Sequence, residues 1–354
     1  MLQYMTAKEA SIKWNISHRR VSILCMENRI PNVAMLGNMW IIPIDAKKPE
    51  DARLARYNKD NNVHPFIKWA GGKSQLLQTL KDRLPENFEE TINKYVEPFV
   101  GGGALLFSLL QMFNFEKVFI SDNNVELMNV YVQIRDNCDI LIEKLSEIEI
   151  DYGQLDEARR EKYYYDKRDE FNKLKLIEEN CIEKAVLFIF LNKTCFNGLY
   201  RVNKSGAFNV PAGRYKNPLI CDRDNLIRVS KMLQNIEIVS GDFESSFDFV
   251  DEKTFVYFDP PYRPLNTTSG FTSYTENQFT DKDQIKLADY FKKLDKKGAK
   301  LMLSNSDPKN SDENDNFFDE LYRGYNIERI EASRMINSKG DKRGKITELL
   351  IRNY

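Results

Sequence analysis

The stretch Tyr95-Val-Glu-Pro-Phe-Val-Gly101-Gly102-Gly103-Ala104 decides the fold of this 354-residue chain. Its first six residues predict a strand, its three glycines a turn, and the apolar spacing from Ala104 to Met112 a helix. Glycines at such a turn let a ligand approach the backbone, and the helix start offers free N–H groups. The stretch therefore predicts a ligand-binding turn at the carboxyl end of a strand.

Apolar strand-like runs alternate with helical patterns on both sides of this turn. The runs are YVEPFV, KVFISD, IEIVSGD, TFVYFDPPY, AKLMLSN and ELLIRNY. Such alternation predicts an α/β fold of the Rossmann-like kind, a mostly parallel sheet covered by helices, formed by residues 65–130 and 236–354. Residues 131–235 lack the alternation and exceed the length of a crossover, so we expect an inserted domain whose first part is helical.

Residues 1–48 are predicted to form a separate small domain, joined by a charged linker over residues 49–64. Thr6 and Glu9 have the spacing of a capping box at a helix start. A second helix, from His18 to Asn28, carries Arg19 and Arg20 in its first turn.

A β-hairpin is predicted from Val33 to Ile44, turning at Gly37-Asn38. The order of helix, turn, helix and hairpin resembles the excisionase/MerR-type winged helix. That resemblance implies DNA binding. The alternative is a protein-binding or stabilising appendage.

The composition and the distribution of charge exclude several classes of protein and indicate where a polyanion could bind. The chain has 52 Lys+Arg and 53 Asp+Glu, a net charge of −1, but residues 1–63 hold 10 basic and 6 acidic residues, and residues 192–218 hold five basic residues and no acid. Five cysteines without CxxC spacing and only two histidines argue against a disulfide framework and a metal site. No secretion signal or membrane-length apolar run is present, so we expect a cytoplasmic protein without membrane or metal partners.

Asp122 ends the run KVFISD, 21 residues after Gly101, about the spacing at which an acidic side chain takes ribose hydroxyls. The pattern indicates a nucleoside site, although a plain tight turn is the alternative. Ala70-Gly71-Gly72-Lys73-Ser74 is not a P-loop, because Ile67 stands where that motif needs glycine.

Asp259-Pro260-Pro261-Tyr262 follows the apolar run Thr254 to Phe258. Two prolines stiffen the turn, leaving the Asp259 carboxylate and the Pro260 carbonyl as acceptors beside an aromatic ring. A planar ring bearing an amino group could stack on Tyr262 and donate to both acceptors. Such binding would aim the nitrogen lone pair at an electrophile, and a methyl sulfonium fits that role.

FIKWAGGK, VEPFVGGGA, ISDNN, SGDF and DPPY occur here in the order found in the Dam-type (alpha-class, D12 family) DNA N6-adenine methyltransferases. Residues 65–354 resemble that family, and in particular the GATC methylases that accompany DpnII-type restriction enzymes. The resemblance implies an S-adenosylmethionine-dependent methyltransferase acting on double-stranded DNA by base flipping, located in the cytoplasm at the nucleoid. A partner restriction endonuclease, the oligomeric state and any preference for hemimethylated sites stay open.

The resemblance also assigns roles to particular residues. It implies catalysis by the Asp259 to Tyr262 motif, and it implies a cofactor site that contains Asp259 and also comprises Trp69, Lys73, Gly101, Gly102, Gly103, Asp122, Asp242 and Phe243. It implies DNA contacts by Lys68, Phe196, Asn197, Leu199, Arg201, Pro211, Arg214, Tyr215 and Lys216. Among these Arg201 would read a guanine, and Phe196 and Asn197 would enter the duplex beside the extruded adenine.

Three alternatives stay open. The same chemistry could act on another short DNA target. The substrate could be RNA or protein. The chain could also be a DNA-binding regulator with a silent methylase fold, against which the intact DPPY and glycine turn speak.

Overall fold

The computed structural model describes residues 4–14, 18–26, 30–37, 39–48, 62–73, 75–176, 181–263, 279–333 and 345–354. The chain divides into two compact units, Met1–Asn62 and Val63–Tyr354. The division falls within the predicted linker, of which residues 49–61 lie outside the described residues. Asn38 and the side chains of Arg19 and Arg20 also lie outside them.

The first unit contains two helices and a small antiparallel sheet. Strand β1 (Tyr4–Thr6) leads into α1 (Ala7–Trp14), which is followed by α2 (His18–Met26), β2 (Ala34–Leu36) and β3 (Met39–Pro43), with the strand order β1-β3-β2. The hairpin of β2 and β3 is confirmed by their antiparallel register.

A capping box starts α1, as the sequence predicts. The Thr6 N–H donates to Glu9 Oε2 at 2.7 Å and the Glu9 N–H donates to Thr6 Oγ1 at 3.2 Å. These two bonds satisfy backbone donors that have no partner within the helix. Trp14, Val21, Leu24 and Ile42 pack in the core of this unit.

The second unit is built on a seven-stranded sheet with the order β6-β5-β4-β7-β8-β10-β9. Its strands are β4 (Lys94–Glu97), β5 (Lys117–Asp122), β6 (Ile236–Ser240), β7 (Thr254–Phe258), β8 (Lys300–Ser306), β9 (Asn326–Ser333) and β10 (Lys345–Arg352). Strands β4 to β8 pair in parallel, and β10 runs antiparallel to both β8 and β9. The predicted α/β class with a parallel-rich sheet is confirmed.

The strand order reverses between β4 and β7. From β4 the chain proceeds outward to β5 and β6, and it then returns to add β7 and β8 on the other side of β4. At such a switch point the connections leave in opposite directions and open a crevice at the carboxyl ends of the strands. The glycine turn follows β4 and Asp259 follows β7, so both border this crevice.

Helices cover both faces of the sheet because alternate strand residues point to opposite sides. Phe255 and Tyr257 of β7 belong to one core, whereas Val256 and Phe258 belong to the other. The helices of this unit are α3 (Leu77–Lys81), α4 (Phe88–Thr91), α5 (Ala104–Leu110), α6 (Val125–Asp136), α7 (Cys138–Gln154), α8 (Glu157–Lys175), α9 (Ile182–Thr194), α10 (Arg223–Leu233), α11 (Asp281–Lys296) and α12 (Phe317–Leu321).

Residues 131–235 are helical as far as α9, as expected, and helix α6 runs through the predicted boundary at residue 131. The basic stretch within residues 192–218 reverses direction after α9, but no continuous ladder of backbone hydrogen bonds joins its two arms. It forms two isolated antiparallel bridges, Cys195 with Ala212 and Val202 with Phe208.

Side chains of α8 replace the missing ladder in this stretch. The Tyr164 hydroxyl donates to the Val210 carbonyl at 2.8 Å, and Asn172 exchanges hydrogen bonds of 2.7 and 3.1 Å with the Phe208 backbone. We call residues 195–216 the basic hairpin.

Candidate active site and DNA-contact surface

The glycine turn packs against Trp69. Gly101 and Gly103 have φ of 49° and 72°, values that favour glycine. A Cβ on Gly101 would lie 2.7 Å from Trp69 Cδ1, and a Cβ on Gly102 would lie 3.1 Å from Trp69 Cβ. The close approach of the indole explains why these positions carry no side chain.

The turn is tied to the end of β5 through Asp122. Its carboxylate accepts the Gly101 N–H at 3.1 Å and the Asn124 N–H at 2.9 Å, one on each oxygen. Burial raises the pKa of Asp122 to about 6, and the two backbone donors oppose that rise. Each oxygen keeps a lone pair with which it could accept a ligand hydroxyl.

Asp242 and Phe243 follow β6 at the same end of the sheet. The Gly241 N–H donates to the Asp122 carbonyl at 3.1 Å, which fixes this segment beside Asp122. Asp242 forms an ion pair with Lys286 at 2.7 Å. The ring of Phe243 is 3% exposed and packs between Phe99 and Tyr290.

Lys73 joins the DPPY motif across the crevice. Its ammonium lies 2.7 Å from Asp259 Oδ1 and 2.8 Å from Oδ2, donates to the Gly71 carbonyl at 2.7 Å, and stands 4.6 Å from the centroid of the Tyr262 ring. Burial raises the pKa of Asp259, and the nearby Lys73 opposes that rise. The Asp259 carboxylate and the Tyr262 ring therefore both face the position that the Lys73 ammonium occupies.

The DPPY turn is held by partners on α11, β8 and β10. Gln284 donates to the Pro261 carbonyl at 3.2 Å and accepts from Asn305 at 3.1 Å. The Tyr262 hydroxyl donates to Glu348 Oε2 at 2.7 Å. The sequence motifs did not indicate Gln284, Asn305 or Glu348, because nothing local links them to residues 259–262.

Glu97 carries a buried carboxyl group at the end of β4 that the sequence motifs left without a role. It is 3% exposed and accepts the Tyr95 hydroxyl at 2.6 Å. Burial raises its pKa to about 8, the nearby Asp259 adds to the rise, and Tyr95 opposes it. The sequence signal was an acidic residue inside an otherwise apolar run.

The basic hairpin begins beside Lys68. Asn192 accepts the Lys68 N–H at 2.9 Å and donates to the carbonyls of Lys68 and Gly198 at 2.8 and 3.0 Å. The Lys68 ammonium stands 4.7 Å from the centroid of the Tyr215 ring. A Cβ on Gly198 would lie 2.5 Å from Lys68 Cδ, so the hairpin backbone and Lys68 are in close contact.

Several predicted DNA contacts are exposed on this hairpin. Phe196 is 53% exposed, and Asn197 has a φ of 57°. Pro211, Arg214 and Lys216 are exposed as well. The exposed apolar ring and the exposed cations suit a surface that meets a duplex.

Arg201, Leu199 and Lys193 are held closer to the protein. Asn209 accepts Arg201 Nε at 2.8 Å through its side chain and Nη2 at 3.2 Å through its carbonyl. Leu199 packs against the main core. Burial lowers the pKa of Lys193 to about 8, which the sequence count of basic residues could not indicate.

A stack of aromatic rings connects the glycine turn with the hairpin. The Trp69 ring, which touches Gly101, lies 5.7 Å from the Tyr200 ring at an interplanar angle of 29°, and Phe188 extends the stack. The Tyr200 hydroxyl donates to Glu126 at 3.3 Å. The two groups of predicted site residues therefore lie side by side in one unit.

Neither a membrane-spanning helix nor a metal-binding cluster is present in the described part of the chain. No helix there is long and apolar enough to cross a membrane. No group of three or more His, Cys, Asp or Glu side chains is arranged to hold a metal ion among those residues.

A glycine turn and acidic side chains at the switch point of an open α/β sheet are typical of enzymes that bind a nucleoside-containing ligand. Residues 69–336 match the family model of the D12 class N6 adenine-specific DNA methyltransferases. The chain belongs to this family, whose members generally use S-adenosylmethionine.

Relatives from several organisms are similar over most of their length. The chain is 56% identical to the type II methyltransferase M.MjaIII of Methanocaldococcus jannaschii, over 82% of this chain and 99% of that protein. It is 43% identical to the type II methyltransferase M1.LlaDCHI of Lactococcus lactis subsp. cremoris, over 83% and 96% respectively. It is 33% identical to the DNA adenine methylase of Escherichia coli K12, over 80% and 93%.

Proposed function

We propose that this adenine-specific DNA methyltransferase flips its target adenine out of duplex GATC onto Tyr262 and methylates N6. One observation carries the proposal: the Lys73 ammonium donates to Asp259 while it lies over the Tyr262 ring. An N–H donor can therefore reach the carboxylate and the ring face at once. The amino group of an adenine stacked on the ring would need the same two groups.

Asp259 and the Pro260 carbonyl are proposed to accept the two amino protons of the adenine. Hydrogen bonds to both protons weaken the conjugation of N6 with the purine ring and direct its lone pair away from these acceptors. The turn is suited to this task because the prolines fix φ and Gln284 holds the Pro261 carbonyl. A preorganised acceptor pair requires no rearrangement during the reaction.

A nitrogen that has gained a methyl group must lose a proton. Asp259 is the proposed acceptor, since it would already be hydrogen-bonded to N6. Burial raises the pKa of Asp259 above its usual range, which makes the carboxylate a better proton acceptor than one in water. The nearby Lys73 ammonium opposes that rise.

The residues at the switch point fit S-adenosylmethionine by their donor and acceptor types. Lys73 could pair with a carboxylate, Asp122 has free lone pairs for ribose hydroxyls, and the Gly101 to Gly103 turn gives access to the backbone. Trp69 and the segment Asp242-Phe243 are proposed to line the cofactor site. When bound, this cofactor supplies an electrophilic methyl group.

The basic hairpin is proposed to read the target. Arg201 is held by Asn209 in a fixed direction, as a bidentate contact to guanine requires. Phe196 and Asn197 would enter the gap left by the extruded base, Leu199 and Pro211 would pack on the thymine, and Lys68 would contact the other guanine. Arg214, Tyr215 and Lys216 would hold phosphates. Residues 131–235 form the proposed recognition domain within the catalytic domain of residues 65–130 and 236–354.

Residues 1–48 are proposed to form a winged helix that contacts DNA outside the target site. The two helices, the hairpin and the local excess of basic residues support this role. We place the enzyme in the cytoplasm at the nucleoid. A cognate restriction endonuclease is a proposed partner, because two relatives carry the name of type II methyltransferases.

The transfer of labelled methyl groups from S-adenosylmethionine to duplex DNA, RNA and protein tests the proposal. We expect adenine in duplex DNA to be labelled, and Asp259→Ala to abolish labelling while DNA binding is retained. Asp251→Ala is the matched control, because Asp251 lies before β7, at its other end, and also pairs with a lysine, Lys94. Labelling of RNA or protein alone, or activity in Asp259→Ala, would refute the assignment.

A further inference from the structure

The hydroxyl of Tyr262 is bound by a carboxylate on β10, which β8 separates from β7 in the sheet. It donates to Glu348 Oε2 at 2.7 Å, and Glu348 belongs to β10, 86 residues further along the chain. Strand β10 pairs with β8 and with β9, and Glu348 lies opposite Ser306 on one side and Ile330 on the other. Two ladders of hydrogen bonds therefore fix the backbone that carries this carboxylate.

The opposite end of Tyr262 is fixed by its own chain. Pro260 and Pro261 restrict the backbone, Gln284 binds the Pro261 carbonyl, and the neighbouring Arg263 pairs with Asp281 and Asp315 at 2.8 and 2.6 Å. These contacts set the position of the Tyr262 backbone, and the Lys73 ammonium lies over the ring, 4.6 Å from its centroid. The bond from the hydroxyl to Glu348 is the contact that holds the far end of the ring.

We propose that Glu348 is a positioning residue for methyl transfer: it holds the Tyr262 ring in the plane on which the target adenine stacks. The inference rests on the proposed function, since it matters only if the adenine is received by Tyr262. A hydrogen bond to a charged acceptor is about twice as strong as one between neutral groups, so it can confine the ring at its hydroxyl end. A ring that tilts displaces the stacked base relative to Asp259, and small misplacements of reacting groups cost much rate.

Glu348 also places a second negative charge near the reacting groups. Its carboxylate adds to the raised pKa of Asp259 and to that of Tyr262. Positive charge moves onto N6 as the methyl group is transferred, and nearby carboxylates favour that change. The effect of Glu348 on the position of the ring can be separated from the effect of its charge by Glu348→Gln, because glutamine keeps an acceptor oxygen but carries no charge.

Four variants test the role: Tyr262→Phe, Glu348→Gln, Glu348→Ala and the double variant Tyr262→Phe/Glu348→Ala. The assay is the single-turnover rate of methyl transfer to a duplex containing GATC. We expect Tyr262→Phe and Glu348→Ala each to slow transfer about tenfold or more, with little change in the affinity for the duplex. The double variant should be no slower than the slower single variant, because both changes remove the same bond. Glu348→Gln should restore most of the rate lost in Glu348→Ala.

A second experiment monitors the target base by fluorescence. With 2-aminopurine at the target position, base extrusion should raise the fluorescence equally in wild type and Glu348→Ala, but the probe in Glu348→Ala should be less constrained, seen as lower anisotropy. Glu328→Ala is the matched control, since Glu328 is a carboxylate on β9 that pairs with Arg83 and Arg352 rather than with residues 259–262. Its transfer rate should equal that of wild type.

The positioning role would be overturned if the rate loss of the double variant equalled the product of the two single losses. It would also be overturned if Tyr262→Phe kept the wild-type rate. If Glu348→Ala fails to fold, the comparison of Tyr262→Phe with Glu348→Gln decides, because both keep a side chain of native size at each position. A wild type that does not methylate adenine in duplex DNA would refute the proposed function instead.

Discussion

Replacing Glu97 by glutamine should remove a large part of the dependence of stability on pH. Glu97 is buried at the end of β4 and accepts the Tyr95 hydroxyl. Glutamine has nearly the same shape, and its amide oxygen can accept the same hydrogen bond. The substitution therefore mimics the protonated form of Glu97 and removes only its ionisation.

The magnitude follows from the pKa of Glu97, which burial raises from 4.5 to about 8. Between these pH values the folded protein keeps a proton that the unfolded chain releases, so the free energy of unfolding falls as pH rises. The maximum slope is about 1.4 kcal/mol per pH unit, and the whole rise corresponds to about 5 kcal/mol. This is an upper bound, because water entering the folded site lessens the desolvation. It is still comparable to the whole stability of many domains.

Urea unfolding followed by far-ultraviolet circular dichroism, at pH values from about 5 to about 9, measures this effect. Wild type should lose several kcal/mol more than Glu97→Gln across that range, with the two converging at the acidic end. Glu328→Gln is the control, since Arg83 lowers the pKa of Glu328 and it is ionised in both states over this range. Its pH slope should therefore equal that of wild type. Parallel curves for wild type and Glu97→Gln would refute the reasoning.

Three further changes have expected outcomes. Gly101→Ala should weaken S-adenosylmethionine binding in calorimetry and destabilise the protein by about 1–2 kcal/mol, because its Cβ would lie 2.7 Å from Trp69 at a positive φ, whereas Gly153→Ala, where a Cβ meets nothing, should not. Arg201→Ala should cost about 1–3 kcal/mol of discrimination at one base pair, measured as methylation rates on GATC and its single-base variants; unchanged preference would exclude the guanine contact. Removing residues 1–62 should lower DNA affinity and flatten its salt dependence in a binding titration, and identical binding would contradict DNA contact by this unit.

Local relationships could be read from the sequence because they depend on short spacing. The capping box of Thr6 and Glu9 is present, and Asp122 contacts Gly101 across the 21 residues that separate them. The glycine turn and the strand before it follow from a pattern of apolar residues and glycines that only a strand and a turn satisfy. In such cases the chain itself brings the partners together.

The family resemblance implied one site for Lys73 and Asp259, but spacing along the chain could not predict the individual long-range contacts. Lys73 meets Asp259 across 186 residues, and Glu348 reaches Tyr262 only because β10 inserts antiparallel between β8 and β9. Strand order and register, which no single motif encodes, decide both contacts. The burial of the Phe243 ring in the core depends on the same long-range arrangement.

The most direct test of the account is the methylation state of DNA from a methylation-free host that expresses the chain. The DNA is digested with endonucleases that differ in their tolerance of methylated GATC, and its nucleosides are analysed by mass spectrometry. We predict N6-methyladenine at GATC in the presence of wild type and none in the presence of Asp259→Ala. The absence of N6-methyladenine with wild type, or its presence with Asp259→Ala, would contradict the central claim that Asp259 and Tyr262 receive the target adenine.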